Sequence, residues 1–207
     1  MRKVFIDGGA NKGQSTAKFL KEWPNSNEFE IFMFEPNSIP PQIKGENTKL
    51  IRKALWIYDG EIEFYEKRPS SEGNTLIEKK SKIDKNNFKK HTVQCLSLSN
   101  WINTNLTKDD YVVLKLDVEG AEYEIIKDLE TNGCFNFVDV LFCEIHGLKC
   151  GKTYEESLEL ITICESNGLK LYSWDASSFK YKTYEKRFYD EKLLTEQFDK
   201  WKKRGLK

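Results

Sequence analysis

The sequence predicts an α/β domain, a single mostly parallel sheet of the doubly wound type with helices on both faces. Three observations point there. Short apolar runs alternate with amphipathic segments along the chain. A glycine-rich turn links the first apolar run to the first amphipathic segment. Carboxylates stand at the ends of several runs, where open α/β sheets bind their ligands.

Strand-like runs cover residues 3–7, 29–34, 50–57, 111–117, 138–146 and 169–174. Between the first two, residues 15–23 place Thr16, Leu20 and Trp23 on one helical face, and Pro24 ends the helix. After the fourth run, Ala121, Ile125, Ile126 and Leu129 form a helical stripe that stops at Asn132-Gly133. Thr153 and Glu156 have capping-box spacing ahead of Leu158, Ile161 and Cys164, and Asn167-Gly168 supplies a left-handed cap. The middle of the chain breaks this rhythm. Residues 61–65 alternate like a hairpin arm behind Asp59-Gly60, and residues 66–91, rich in Lys, Ser and Asn, read as an exposed excursion. Residues 181–188 read as a last strand and residues 191–203 as a terminal helix.

The 207 residues fit one domain, residues 1–207, with one core. No apolar run reaches the roughly 20 residues of a membrane span. Met1-Arg2-Lys3 leads straight into the first run with no signal peptide. Basic and acidic residues balance, 33 against 33, so no global field draws in nucleic acid. Cys95, Cys134, Cys143, Cys150 and Cys164 form no C-x-x-C pair and read as reduced thiols of a cytoplasmic protein. A first strand so close to residue 1 suggests a minimal enzyme or a domain excised from a longer protein.

Val4-Phe5-Ile6-Asp7 runs into Gly8-Gly9-Ala10-Asn11-Lys12-Gly13, and a helix follows. Glycines let a backbone approach its ligand closely, and the helix start presents free N–H groups. That suits a nucleoside-bearing cofactor. Asp7 can accept a hydrogen bond from an ammonium, which S-adenosylmethionine carries and a pyrophosphate lacks. The dinucleotide fingerprint G-x-G-x-x-G is absent. Glu35, at the end of the second run, is placed for both ribose hydroxyls, a geometry shared with nicotinamide enzymes.

Strand alternation puts Lys115 and Asp117 on one face, with Asp117 toward the cofactor crevice. Glu119 and Glu122 read as carboxylates that favour the start of the next helix through its dipole. Glu144 and His146 point the same way at the end of the fifth run. His146 is one of two histidines, the usual proton acceptor near neutral pH. Asp117, Glu144 and His146 also offer oxygen and nitrogen donors to a divalent cation, although no residue is assigned as a metal ligand.

Asp7-Gly8-Gly9-Ala10-Asn11-Lys12-Gly13, Phe34-Glu35-Pro36-Asn37, Lys115-Leu116-Asp117-Val118-Glu119-Gly120-Ala121-Glu122 and Glu144-Ile145-His146 together resemble the FkbM family of methyltransferases. The likeness spans roughly residues 3–174, and the run from Lys115 is its most specific element. Ala54-Leu55, followed by Asp59-Gly60, is similar to that family's third strand and turn. The resemblance implies a class I methyltransferase (Rossmann-like) fold of seven strands, the last antiparallel. It implies S-adenosylmethionine-dependent O-methylation, typically of a sugar or natural-product hydroxyl. Asp7, Gly9, Asn11, Gly13, Glu35 and Ala54 match cofactor-contacting positions, with Asp117 beside the transferring methyl. The departures that the resemblance leads one to expect here are a missing N-terminal extension and the lysine-rich excursion.

The expected reaction is direct in-line transfer, with His146 as base, Asp117 or Glu144 orienting it, and Lys115 in the same cluster. The expected partner is a small-molecule or glycan acceptor. Lys79, Lys80, Lys82, Lys85, Lys89 and Lys90 form a basic stretch that reads as a solvated loop or as a receiver of an anionic acceptor, RNA included. A nicotinamide-dependent oxidoreductase and a binding module without chemistry are the other readings.

Overall fold

The computed structural model describes residues 1–37, 43, 47–69, 71–84, 87–174 and 181–206. In chain order the strands are β1 (Lys3–Gly8), β2 (Phe29–Phe34), β3 (Thr48–Ile51), β4 (Ala54–Trp56), β5 (Gly60–Glu66), β6 (Lys89–Ser97), β7 (Tyr111–Leu116), β8 (Val140–Cys143) and β9 (Leu171–Ser173). The helices are α1 (Gln14–Glu22), α2 (Glu78–Ile83), α3 (Leu98–Asn105), α4 (Glu122–Thr131), α5 (Tyr154–Ser166) and α6 (Glu191–Lys203). Among the described residues, no helix is long and apolar enough to cross a membrane.

Six strands form one sheet in the order β3-β2-β1-β7-β8-β9, and every pairing in it is parallel. Parallel strands covered on both faces read as unbroken apolar runs. In β1, Val4 and Ile6 enter the core beneath α3, α4 and α5, while Phe5 joins Phe19 and Trp23 of the opposite layer. Phe5 and Phe19 stack with ring centroids 3.9 Å apart. Each such buried side chain contributes about 1.5–3 kcal/mol. Helices therefore cover both faces, as the sequence predicts.

Register brings the site together. Gly8 pairs with Phe34 on one side and Leu116 on the other, and Leu116 pairs with Cys143. The C-terminal tips of β1, β2, β7 and β8 are thus level. The next residues, Gly9, Glu35, Asp117 and Glu144, lie side by side along one edge.

Several expectations need correction. The run 50–57 is two strands in two sheets. Lys53 N–H donates to the Ile51 carbonyl at 2.8 Å, turning the chain, and β4 then pairs with β6 in a second sheet ordered β4-β6-β5. On α1, Thr16, Phe19 and Trp23 are buried, whereas Leu20 is 37% exposed. Among the described residues, no full seventh strand joins this sheet. Tyr172 and Phe188 make a single antiparallel bridge, and Tyr181–Lys186, expected as strand, is a 3-10 helix.

The excursion 66–91 is not an open loop. Its start extends β5 and its end begins β6, antiparallel to β5. Between them Asn74, Thr75 and Lys80 are buried. Lys79 donates to the Gly151 carbonyl at 2.7 Å, and Lys82 and Lys90 pair with Glu78 and Glu63. Lys85 lies outside the described residues.

Candidate active site

A cavity of about 590 Å³ opens at the C-terminal edge of the six-stranded sheet. That volume falls within the range of small-molecule sites. Its floor is the glycine turn, with Gly9, Asn11 and Gln14, and one wall holds Glu35, Asn37, Ala54 and Leu55. Asp117, Glu119 and Glu144 form the opposite wall. Ser71, Gly73, Asn74, Thr75, Leu76 and Lys80, from the stretch expected to be exposed, close the top, and Leu206 contributes near the chain's end.

The turn is tight because glycine is needed there. Gly9 has φ +75°, and a Cβ on it would meet the Asp117 carbonyl oxygen at 1.9 Å. Gly13, at φ +89°, would push a Cβ to 2.6 Å from Ile43. Asn11 also adopts the left-handed region, at φ 45°. Its N–H donates to Glu35 Oε2 at 2.6 Å, and the Asn37 N–H donates to Glu35 Oε1 at 2.9 Å. Burial raises the Glu35 pKa above the usual carboxylate range, opposed by those two donors. Each oxygen keeps a lone pair for a ligand hydroxyl. The Asn11 side-chain oxygen is buried with no hydrogen-bond partner.

Asp7 and Lys115 lie beneath this floor rather than in the cavity, both fully buried. Lys115 Nζ donates to the Gly8 and Gly9 carbonyls at 3.1 and 2.9 Å. It sits 3.1 Å from Asp7 and 3.6 Å from Asp117. Asp7 also accepts from the Thr16 hydroxyl at 2.7 Å. Burial opposes the lysine's charge, but Asp7 and Asp117 outweigh it and raise its pKa. The pair ties the glycine turn to β7.

His146 is likewise fully buried, one layer behind the cavity wall. Its Nδ1 lies 3.1 Å from Glu122 Oε1, and Glu122 also accepts from the His146 and Gly120 N–H groups at 2.9 and 2.8 Å. Its Nε2 lies 3.1 Å from Glu119, 3.5 Å from Glu144 and 3.8 Å from Asp117. Burial lowers the imidazole pKa, yet Glu122 and Glu144 more than compensate and the net direction is upward. His146 therefore holds a proton more readily than an ordinary histidine.

Two further groups take places that the sequence did not assign them. Glu119, a residue in the left-handed region at φ 56°, lines the cavity instead of merely starting a helix. Lys80 reaches the Glu119 carboxylate from α2, and burial lowers its pKa below the usual lysine range. The Thr75 hydroxyl donates to the Glu119 carbonyl at 2.6 Å, fastening the roof to the wall. No sequence signal marks Lys80, since a lysine in a polar stretch normally stays in solvent. For Glu119, the sequence signal is the glycine that follows it, since glycine favours a turn over a helix start.

A model of the methyltransferase FkbM domain matches residues 7–171, most of the chain. The protein belongs to the FkbM methyltransferase family. Among curated proteins and among solved structures, no match was found. In this FkbM-family chain the cavity wall gathers Gly9, Asn11, Glu35, Ala54, Asp117 and Glu144 from the expected site residues. Asp7, Gly13, Lys115 and His146 stand behind that wall. They shape and charge it without lining it.

Proposed function

We propose that this methyltransferase is an S-adenosylmethionine-dependent O-methyltransferase whose acceptor is a hydroxyl of a sugar, glycan or related small molecule. The observation carrying this reading is a single cavity with the pinned Glu35 on one wall and three carboxylates, Asp117, Glu119 and Glu144, on the other. The residues fit the methyl donor. Glu35 has lone pairs for the ribose hydroxyls, Gly9 lines the cavity beside it, and the unpartnered Asn11 oxygen awaits a donor. When bound, S-adenosylmethionine supplies an activated methyl group.

The acceptor oxygen attacks the methyl carbon as the carbon–sulfur bond breaks, leaving an O-methyl ether, S-adenosylhomocysteine and one proton. In this site the carboxylates of Asp117 and Glu144 meet the hydroxyl first and take that proton. His146, fixed by Glu122, orients them from behind. Holding both reactants in line supplies much of the acceleration. Five free, buried thiols support a reducing compartment, the cytoplasm.

Incubation with labelled S-adenosylmethionine and a panel of saccharides tests the reading. Label in a sugar methyl ether is the expected result, and label in RNA or protein alone would refute it. Glu35→Ala is expected to weaken S-adenosylhomocysteine binding by calorimetry. Asp117→Asn with Glu144→Gln is expected to cut turnover by about 10²–10⁴ while binding persists.

A further inference from the structure

We propose that Asp117, Glu119 and His146 form a binding site for a divalent cation with oxygen and nitrogen ligands, such as Mg²⁺ or Mn²⁺, and that Lys80 is its built-in competitor. One ligand atom from each of these three residues lies within 4.8 Å of the others. Neighbouring ligands on an octahedral ion with bonds of about 2.1 Å are roughly 3 Å apart. His146 Nε2 is 3.1 Å from Glu119 and 3.8 Å from Asp117, so small side-chain adjustments would bring all three onto one ion.

The second observation concerns the imidazole rather than the carboxylates' spacing. His146 Nε2 is buried and makes no hydrogen bond, although it points into the cluster. Its other ring nitrogen faces Glu122, the carboxylate–histidine arrangement that presents Nε2 to a metal. The Lys80 ammonium is also buried and is ion-paired with the Glu119 carboxylate. A lysine held in a carboxylate and histidine cluster neutralises it as an ion would, and an ion can displace it.

The ion's binding does not depend on the methyl-transfer reading; only its use does. There it would take the acceptor oxygen as a further ligand and lower the hydroxyl pKa, which favours acceptors with adjacent hydroxyls.

The test strips the full-length chain with EDTA, desalts it and titrates Mn²⁺ against the resonance signal of the free ion. One bound Mn²⁺ per chain is expected, with affinity falling at least tenfold in Glu119→Gln and in Asp117→Asn, and rising in Lys80→Met. His146→Gln should also weaken binding, with folding checked by circular dichroism. Because Asp117 and Glu119 are partly exposed, their variants decide the matter if the histidine variant fails to fold. No stoichiometric Mn²⁺ in either the parent or Lys80→Met would overturn the site, as would undiminished binding in Asp117→Asn with Glu119→Gln. Calorimetry with S-adenosylhomocysteine on the same samples separates the two ideas, since loss of either signal leaves the other standing.

Discussion

At the scale of single residues, the site is governed by depth. Gly9 and Gly133 both have positive φ, but only Gly9 has a neighbour where a Cβ would go. Gly9→Ala combines left-handed strain with a clash against the Asp117 backbone and is expected to cost about 2–5 kcal/mol. Gly133→Ala has open space and should cost about 1–2 kcal/mol. Urea melts of the two variants check this, and equal losses would contradict it. The cysteines follow the same logic. Burial raises Cys134 and Cys150 to about 11 and Cys164 to about 12, and Cys95 and Cys143 move in the same direction. Thiolate, the reactive form, is therefore scarce at pH 8. A disulfide reagent should label none of them until the chain is unfolded. Residue types at the site were legible in the sequence, but their depth was not. Asp7 and His146 stand at the expected strand tips, yet packing decides that Glu119 and Glu144 face the cavity while they do not.

At the scale of elements, helix α5 shows what local chemistry can specify. Thr153 Oγ1 accepts from the Glu156 N–H at 3.1 Å, and Glu156 accepts in return from the Thr153 N–H at 2.7 Å. Thr153→Ala is expected to cost about 1 kcal/mol, lowering the melting temperature by roughly 2–4 °C. This cap could be read in advance because it involves residues three apart. The core strands were legible for a related reason, since burial on both faces demands apolar residues throughout. Strand β6 was not. It begins Lys89-Lys90-His91, three residues typical of a loop, and is stabilised by pairing with β5 across the chain. Helix α2 is only six residues long and has no apolar stripe. Its place is set by tertiary contacts that no local pattern announces, among them Lys79 donating to the Gly151 carbonyl and Lys80 reaching Glu119.

At the scale of the whole molecule, the parallel sheet and the smaller β4-β6-β5 sheet meet where the chain leaves Ile51 for Ala54, and the cavity lies near that corner. The parallel sheet was legible as apolar runs, whereas the smaller one pairs half-exposed, polar stretches such as residues 61–66 and 89–94, which carry no such pattern. Parallel strands also give the molecule a polarity. Met1 is 86% exposed and precedes β1, at the edge away from the strand tips, whereas Leu206 lines the cavity. Fusion partners should feel that difference. A fluorescent domain joined ahead of Met1 is expected to leave S-adenosylhomocysteine affinity unchanged. The same domain joined directly after Leu206, which lines the cavity, is expected to slow the entry of bulky acceptors more than small ones. Comparing turnover for a monosaccharide and a long oligosaccharide in the two fusions measures which end of the chain guards the entrance.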